Sequence, residues 1–295
     1  MPEPSESQRQ AIFRAAGLPE TRIHCRPLSG GDIGHAWQLD SEDQSFFLKT
    51  LPASNNPMLA AEADGLARLA ATDAVRVPTV LAQGRDRHIA WLLCEYLPLS
   101  APSEASDTRL GEALAALHGH QAEHHGLERD NYIGLTPQPN RQSQDWCWFF
   151  REQRLRPQLD WAAAKGAGGA LQEAGERLLE ALPRLLADHR PAPSLLHGDL
   201  WVGNRARIGA DEPVIFDPAC HYGDRECDLA MSELFGRFHA GFYQAYQHHY
   251  PLDPGYHHLR RPLYQLYHVL NHCNLFGSPY DHHALSLVET VLNAD

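Results

Sequence analysis

Three oxygen-bearing side chains, Asp199, Asn204 and Asp217, have the types and the spacing to act on one reacting group. They lie in the segment 195–228, which reads LLHGDLWVGNRARIGADEPVIFDPACHYGDRECD. An Asp, an Asn five residues later and a second Asp after the next apolar run make up the set that phosphoryl transfer from a nucleotide requires. One carboxylate orients the acceptor hydroxyl and takes its proton, while the amide and the other carboxylate hold Mg²⁺ against the phosphates. The competing reading is that Asp and Asn merely cap turns. A turn needs one capping side chain, not three in order behind two strands.

Stepping outward from these residues, the apolar runs 194–196 and 213–216 read as buried strands that deliver Asp199 and Asp217. Upstream, a strand at 21–28 leads into Ser29-Gly30-Gly31-Asp32-Ile33-Gly34. This stretch is neither a Walker A loop nor GxGxxG, but Gly30, Gly31 and Gly34 suit a turn whose backbone approaches phosphates closely. A strand at 45–49 ends on Lys49, the sole Lys or Arg between Arg26 and Arg68. A helix follows, with Asn56 as candidate cap and Pro57 in its first turn, and it carries Glu62 at the place of an ion-pair partner for Lys49. Asp64 is the alternative partner. Strands at 79–82 and 88–95 come next, and beyond Leu97 helices dominate: 110–118, an aromatic helix at 145–155, 171–189 kinked or interrupted at Pro183, 234–250, 261–276 and 283–292. A short helix at 5–16, capped by Ser5 and stopped by Gly17, precedes the first strand.

The string His197-Gly198-Asp199-Leu200-Trp201-x-Gly203-Asn204, followed by Asp217-Pro218-Ala219, resembles the aminoglycoside-phosphotransferase-like branch of the protein-kinase fold. Its continuation Gly223-Asp224-Arg225-Glu226-x-Asp228-Leu229-Ala230-Met231 is similar to one family within it, the fructosamine (ketosamine-3-) kinases. The resemblance spans about residues 30–276 and includes the loop 130–140 and the aromatic helix, which are not general to sugar or choline kinases. It implies an α+β, two-lobed protein-kinase-like fold: a small β-rich nucleotide-binding N-lobe, residues 1–96, and a larger helical C-lobe, residues 97–295, with the catalytic loop and acceptor site. It implies ATP and Mg²⁺, with Asp199 as base, Asn204 and Asp217 on the metal, and Lys49, fixed by Glu62, on the phosphates. The backbone of Glu95, Tyr96 and Leu97 would form the adenine-binding hinge. The acceptor would be the 3-hydroxyl of a ketosamine on a free amine or a protein, a repair of glycation. Trp201, Asn131, Gln138, Asn140, Trp146 and Glu226 are the expected substrate contacts. Core packing is the competing reading for Trp146 and Trp201, and bracing of the catalytic loop for the 224–228 cluster. Val202, at a position more often small, and His221, at one usually aromatic, depart from the family pattern and bear on substrate preference.

Composition narrows the partners. With 295 residues and 43% hydrophobic content the chain can bury a large core, and no run of about 18 apolar residues reads as a membrane span. The polar start MPEPSESQRQ is unlike a secretory signal, so the expected location is the cytoplasm. A net charge of −12 disfavours a nucleic-acid partner. Six cysteines without a CxxC pair argue against a zinc site or a disulfide framework. Cys25 reads as a buried structural thiol, with redox sensitivity as the alternative. The 19 histidines include four doublets whose neighbours diverge on a helix and form no ligand pair. Two rival functions share Asp199, Asn204 and Asp217: a kinase for another hydroxyl acceptor (aminoglycoside, choline or homoserine type) and a catalytically silent nucleotide-binding module.

Overall fold

The strand β3 (Gln44–Pro52) alternates cleanly in burial along most of its length, and the two faces it separates organise the N-terminal half. It is the centre of a five-stranded antiparallel sheet of order β1-β2-β3-β5-β4, with β1 (Ile23–Leu28), β2 (His35–Ser41), β4 (Val80–Arg85) and β5 (Ile89–Glu95). On the outer face Phe46 and Leu48 meet Ile12 and Phe13 of α1 (Glu6–Ala15) in one apolar cluster with Trp37, Leu39, Trp91 and Leu93. The capping box of Ser5 and Gln8 starts α1, and Gly17, at φ +69°, follows it. Cys25 borders this cluster, and burial pushes its thiol up to about 11, far from an activated thiolate. The inner face of the sheet supplies Leu51, Leu92 and Cys94 to a second cluster with Leu59, Leu66 and Leu69 of α2 (Asn56–Ala70). Pro57 lies in the first turn of α2, but the capping position falls on Asn55, whose side chain makes no capping bond. The computed structural model describes residues 3–20, 22–28, 34–42 and 44–294.

That second cluster runs on without interruption into the helical half. After β5 come α3 (Glu104–His118), the hairpin β6 (Asn131–Ile133) and β7 (Thr136–Gln138), α4 (Trp146–Phe150), α5 (Arg156–Ala164) and α6 (Gly169–Leu185). The two-stranded sheets β8 (Ser194–Leu196) with β11 (His221–Gly223) and β9 (Arg205–Ile208) with β10 (Glu212–Ile215) follow. The chain closes with α7 (Glu226–Ser232), α8 (Ala240–His249), α9 (Arg260–Phe276) and α10 (Asp281–Leu292).

Several boundaries differ from expectation for local reasons. Helix α3 begins six residues before the expected 110, because Ser103 and Ser106 form a reciprocal cap and the polar first turns bury Ser106 and Asp107. The expected single helix at 145–155 is α4 followed by a π-turn, Arg151–Leu155, in which the Arg156 amide reaches back to the Arg151 carbonyl. Pro183 falls in the last turn of α6, which stops at Leu185 rather than kinking and continuing to 189. Gly236, at φ +111°, holds 234–239 out of the expected helix, which starts only at Ala240.

Candidate active site

The segment that carries Asp199 and Asp217 is built on two short sheets whose ends converge. Asp199 comes three residues after β8 and Asp217 two residues after β10. Between β8 and Asp199 the chain turns sharply at Gly198, φ +84°, where a β-carbon would stand 2.2 Å from the Ala219 carbonyl oxygen. Only glycine allows the two segments to come this close. His197 ties them further. Its Nδ1 accepts from the Asp199 amide (3.2 Å) and its Nε2 donates to the Phe216 carbonyl (3.0 Å), an assignment that requires the neutral ring. Burial lowers the pKa of His197 in keeping with that. The Ala219 amide donates to the His197 carbonyl (2.8 Å), and the Phe216 amide to the Asn204 carbonyl (3.1 Å).

Asp228, at the start of α7, clamps the loop from below. Its Oδ2 accepts from the His197 amide (2.7 Å) and its Oδ1 from the Gly198 amide (2.8 Å). His118 of α3 lies 3.2 Å from Oδ2 and 2.8 Å from the Tyr246 hydroxyl. Burial alone would raise this carboxyl; the hydrogen bonds and charges of His118, His197 and Gly198 hold it below the usual range.

Asp199 is half-buried, its side chain 24% exposed. Asn204 Nδ2 donates to its carbonyl (2.9 Å) and to its Oδ2 (3.1 Å), so the amide oxygen of Asn204 is turned away from Asp199. Burial, and then the negative charge of Asp217, push the Asp199 carboxyl up to about 7. Such a group takes a proton readily near neutrality.

Asp217 sits at φ +56°, a left-handed backbone that a non-glycine residue adopts at some cost and that recurs at functional sites. Its Oδ1 lies 3.0 Å from Lys49 Nζ, which also lies 2.8 Å from Glu62 Oε2. The register explains the reach: Lys49 pairs with Leu92 of β5 and Ala36 of β2, and lies on the same face of β3 as Leu51, which packs toward α2. Two carboxylates thus share one ammonium. Burial raises Glu62 to about 7, with Asp217 adding to the rise, whereas Lys49 outweighs burial at Asp217 and holds it low. Asp217 is 42% exposed while Glu62 is 15% exposed, so the carboxyl held low is the one more open to solvent.

The donor set fits Mg²⁺. Asp217 has a second carboxylate oxygen beyond the one on Lys49, and Asn204 has an amide oxygen turned from Asp199; both are the hard oxygen ligands that this ion takes.

The remaining expected residues fall into three groups. Gly30 and Gly31 lie outside the described residues; Gly34 is at φ +87°, where a β-carbon would stand 3.0 Å from the Thr50 carbonyl oxygen. At the expected hinge, the Glu95 amide donates to the Thr79 carbonyl (3.0 Å) and the Leu99 amide to the Leu97 carbonyl (2.8 Å). The Glu95 side chain is bound to Arg76 and the Thr79 amide, both at 2.6 Å, and Tyr96 is half-buried.

The third group comprises the expected substrate contacts, and here the geometry differs from the expectation. Trp201 is half-buried, and its indole lies across Gly203, where a β-carbon would be 2.3 Å from the ring. Asn131, Gln138, Asn140, Trp146 and Glu226 are buried with their polar groups engaged. Asn131 donates to the Cys220 carbonyl (2.7 Å) and Gln138 to the Ala219 carbonyl (3.2 Å), so this hairpin braces the segment behind Asp217. The Tyr267 hydroxyl donates to Gln138 Oε1 (2.7 Å), and Arg154, delivered by the π-turn, to Asn140 Oδ1 (2.7 Å). Trp146 donates to the Tyr264 hydroxyl (3.0 Å) inside an aromatic cluster with Phe149 and Phe150. Glu226 is paired bidentately with Arg260 at 2.6 and 2.9 Å. Buried amides and a buried ion pair of this kind satisfy one another as structural partners. His268 of α9 was not among the expected site residues, yet its Nδ1 stands 3.8 Å from Asp199 Oδ1. A histidine inside an apolar helical repeat gives no sequence signal of its own.

The sequence model of the family described as fructosamine kinase matches residues 5–294. A protein of Vibrio parahaemolyticus named "probable ketoamine kinase" is 42% identical over 269 residues, 90% of this chain and 91% of its own. A crystal structure from Haemophilus somnus, described as a "putative fructosamine-3-kinase", superposes with a TM-score of 0.87 at 34% identity and covers 96% of both chains. Another so described, from Thermobifida fusca, gives 0.87 at 32% identity, covering 98% of this chain and 99% of its own. The fold is the α+β, protein-kinase-like one that aminoglycoside phosphotransferases share.

Proposed function

The chain belongs to the fructosamine kinase family, and from that premise we propose that it transfers the γ-phosphoryl group of ATP to the 3-hydroxyl of a ketosamine. The observation that carries the reading is one chain of contacts: Asn204 on Asp199, the charge of Asp217 acting on Asp199, and Lys49 shared by Asp217 and Glu62. Asp199 orients the acceptor hydroxyl and takes its proton, its raised pKa matching that task. Asn204 holds the Asp199 carboxylate in place through Oδ2 and offers its amide oxygen, with Asp217, to a Mg²⁺ ion. When bound, that ion neutralises the charge of the phosphates and of the transferring group. Lys49, held by Glu62, contacts the α and β phosphates; Gly30, Gly31 and Gly34 lie over them; the backbone of Glu95, Tyr96 and Leu97 meets the adenine edge. In this reading residues 1–96 form the nucleotide-binding lobe and 97–295 the lobe carrying the acceptor site. Among the expected substrate contacts, half-buried Trp201 remains beside the base. Asn131, Gln138, Asn140, Trp146 and Glu226 act through the scaffold they brace.

The acceptors in this reading are fructosyl- or ribulosyl-amines, free or on protein. The product releases the amine, so the activity is a repair of glycation, and it takes place in the cytoplasm. No helix among the described residues is long and apolar enough to cross a membrane. The test is ADP release with Mg²⁺ against fructosyl-lysine, ribulosyl-lysine, an aminoglycoside and choline. Turnover with the two ketosamines supports the reading; turnover with only the aminoglycoside or choline overturns it.

A further inference from the structure

The carboxylate of Asp199 is framed on both sides. Asn204 holds Oδ2 at 3.1 Å, while Oδ1 faces Nδ1 of His268 at 3.8 Å. The latter distance is too long for a hydrogen bond, and no other described residue hydrogen-bonds either ring nitrogen of His268. The ring is nevertheless largely removed from solvent, since the His268 side chain is 5% exposed on a helix most of whose residues are buried. Neither ring nitrogen is among the fully buried, unpartnered polar atoms of the described residues, so the ring keeps enough access for a ligand to meet it. Burial and the neighbouring His272 lower the ring's pKa to about 3, so it stands neutral beside the base. Facing the lone pairs of a carboxyl oxygen, the ring favours the tautomer with its proton on Nδ1, because two lone pairs would otherwise face each other.

Two oxygens on neighbouring carbons of a sugar span a gap of this size, each about 2.8 Å from its protein partner. One is the hydroxyl that gives its proton to Asp199. The other accepts from Nδ1–H. We propose that His268 is a specificity-determining residue that donates from Nδ1 to the C2 oxygen of the acceptor, ketone or hemiketal, while Asp199 receives the adjacent 3-hydroxyl. This inference rests on the ketosamine reading above and deepens it: His268 makes the site selective for a hydroxyl flanked by an oxygenated carbon. An isolated alcohol would leave the imidazole donor unpaired, and a buried unpaired donor penalises that complex.

The test is a cycle of two enzymes and two acceptors, wild type and His268→Phe against fructosyl-lysine and its analogue in which C2 is a methylene. Fructosyl-lysine loses kcat/KM on the order of ten- to hundredfold in His268→Phe, as does the 2-deoxy analogue on the wild type, and combining the two changes adds little further. His268→Gln, which keeps an N–H donor, restores part of the loss, and the Kd for ADP without acceptor certifies the fold of each variant. Equal losses for both acceptors in His268→Phe and His268→Gln, or no loss at all, would overturn the proposal. Wild-type enzyme that turns over no ketosamine but does phosphorylate an aminoglycoside fails the acceptor reading itself, and His268's role falls with it.

Discussion

Gly65 of α2 seats Pro218: a β-carbon at Gly65 would stand 3.0 Å from Pro218 Cγ, and the Cys220 thiol donates to the Gly65 carbonyl at 3.7 Å. Glu62 lies one turn before Gly65, and Asp217 immediately precedes Pro218. A backbone contact therefore fixes the spacing of the two carboxylates that share Lys49.

Gly65→Val inserts a branched side chain into that contact. It should destabilise the protein by about 1–3 kcal/mol in chemical denaturation. It should also raise the KM for ATP well beyond any change in the KM for acceptor, because the Lys49–Glu62–Asp217 set is spread. Unchanged ATP kinetics with the same loss of stability would place the contact outside nucleotide binding.

Asp228→Ala leaves two backbone amides, of His197 and Gly198, and the ring of His118 without their acceptor inside the protein. The expected loss is about 3–5 kcal/mol in urea denaturation, because buried donors lose their partner and the catalytic turn loses its clamp.

Gly203→Ala forces the Trp201 indole off its bed, since the new methyl would overlap the ring. The expected outcome is a shift in tryptophan emission together with a rise in acceptor KM on the order of tenfold, at nearly unchanged ATP KM. A shift in emission without a kinetic change would remove Trp201 from the acceptor side.

Asp199 carries a stability signature with a definite sign. Its folded-state pKa, about 7, lies above the ordinary 3.8, so the stability tied to its proton is fully present below about pH 4 and is lost as pH rises through 7. Asp199→Asn removes that dependence. In thermal melts without metal or nucleotide, the variant should match wild type near pH 4. It should gain on it through pH 7 and exceed it by about 1–3 kcal/mol at pH 8. A variant less stable than wild type at pH 8 would mean that the buried charge is compensated in the free protein.

The parts of the site that the sequence exposed are those whose chemistry is written in residue type and order. Asp199, Asn204 and Asp217 follow short apolar strands, and Lys49 ends a run that alternates in burial, so local pattern was enough to align them. The substrate contacts were less legible because buried polar residues look the same in sequence whether they face a ligand or one another. Asn131, Gln138 and Asn140 find partners 80 or so residues away or on a neighbouring turn, which no local pattern encodes. The π-turn that buries Arg154 and the helix that brings His268 to Asp199 depend on tertiary packing in the same way. The helix starts at Glu104 and Ala240 differ from expectation for a simpler reason: polar first turns and a left-handed glycine carry no apolar periodicity.

The central claim is that Asp199 serves the acceptor and not the nucleotide, and the most direct measurement compares wild type with Asp199→Ala in two assays. The account predicts that ketosamine-dependent ADP release with Mg²⁺ falls by about 10²–10⁴-fold, while the Kd for Mg²⁺-ADP stays within about twofold of wild type. Asp199→Ala that turns over fructosyl-lysine within about tenfold of wild type, or that loses nucleotide affinity in step with its activity, would contradict it.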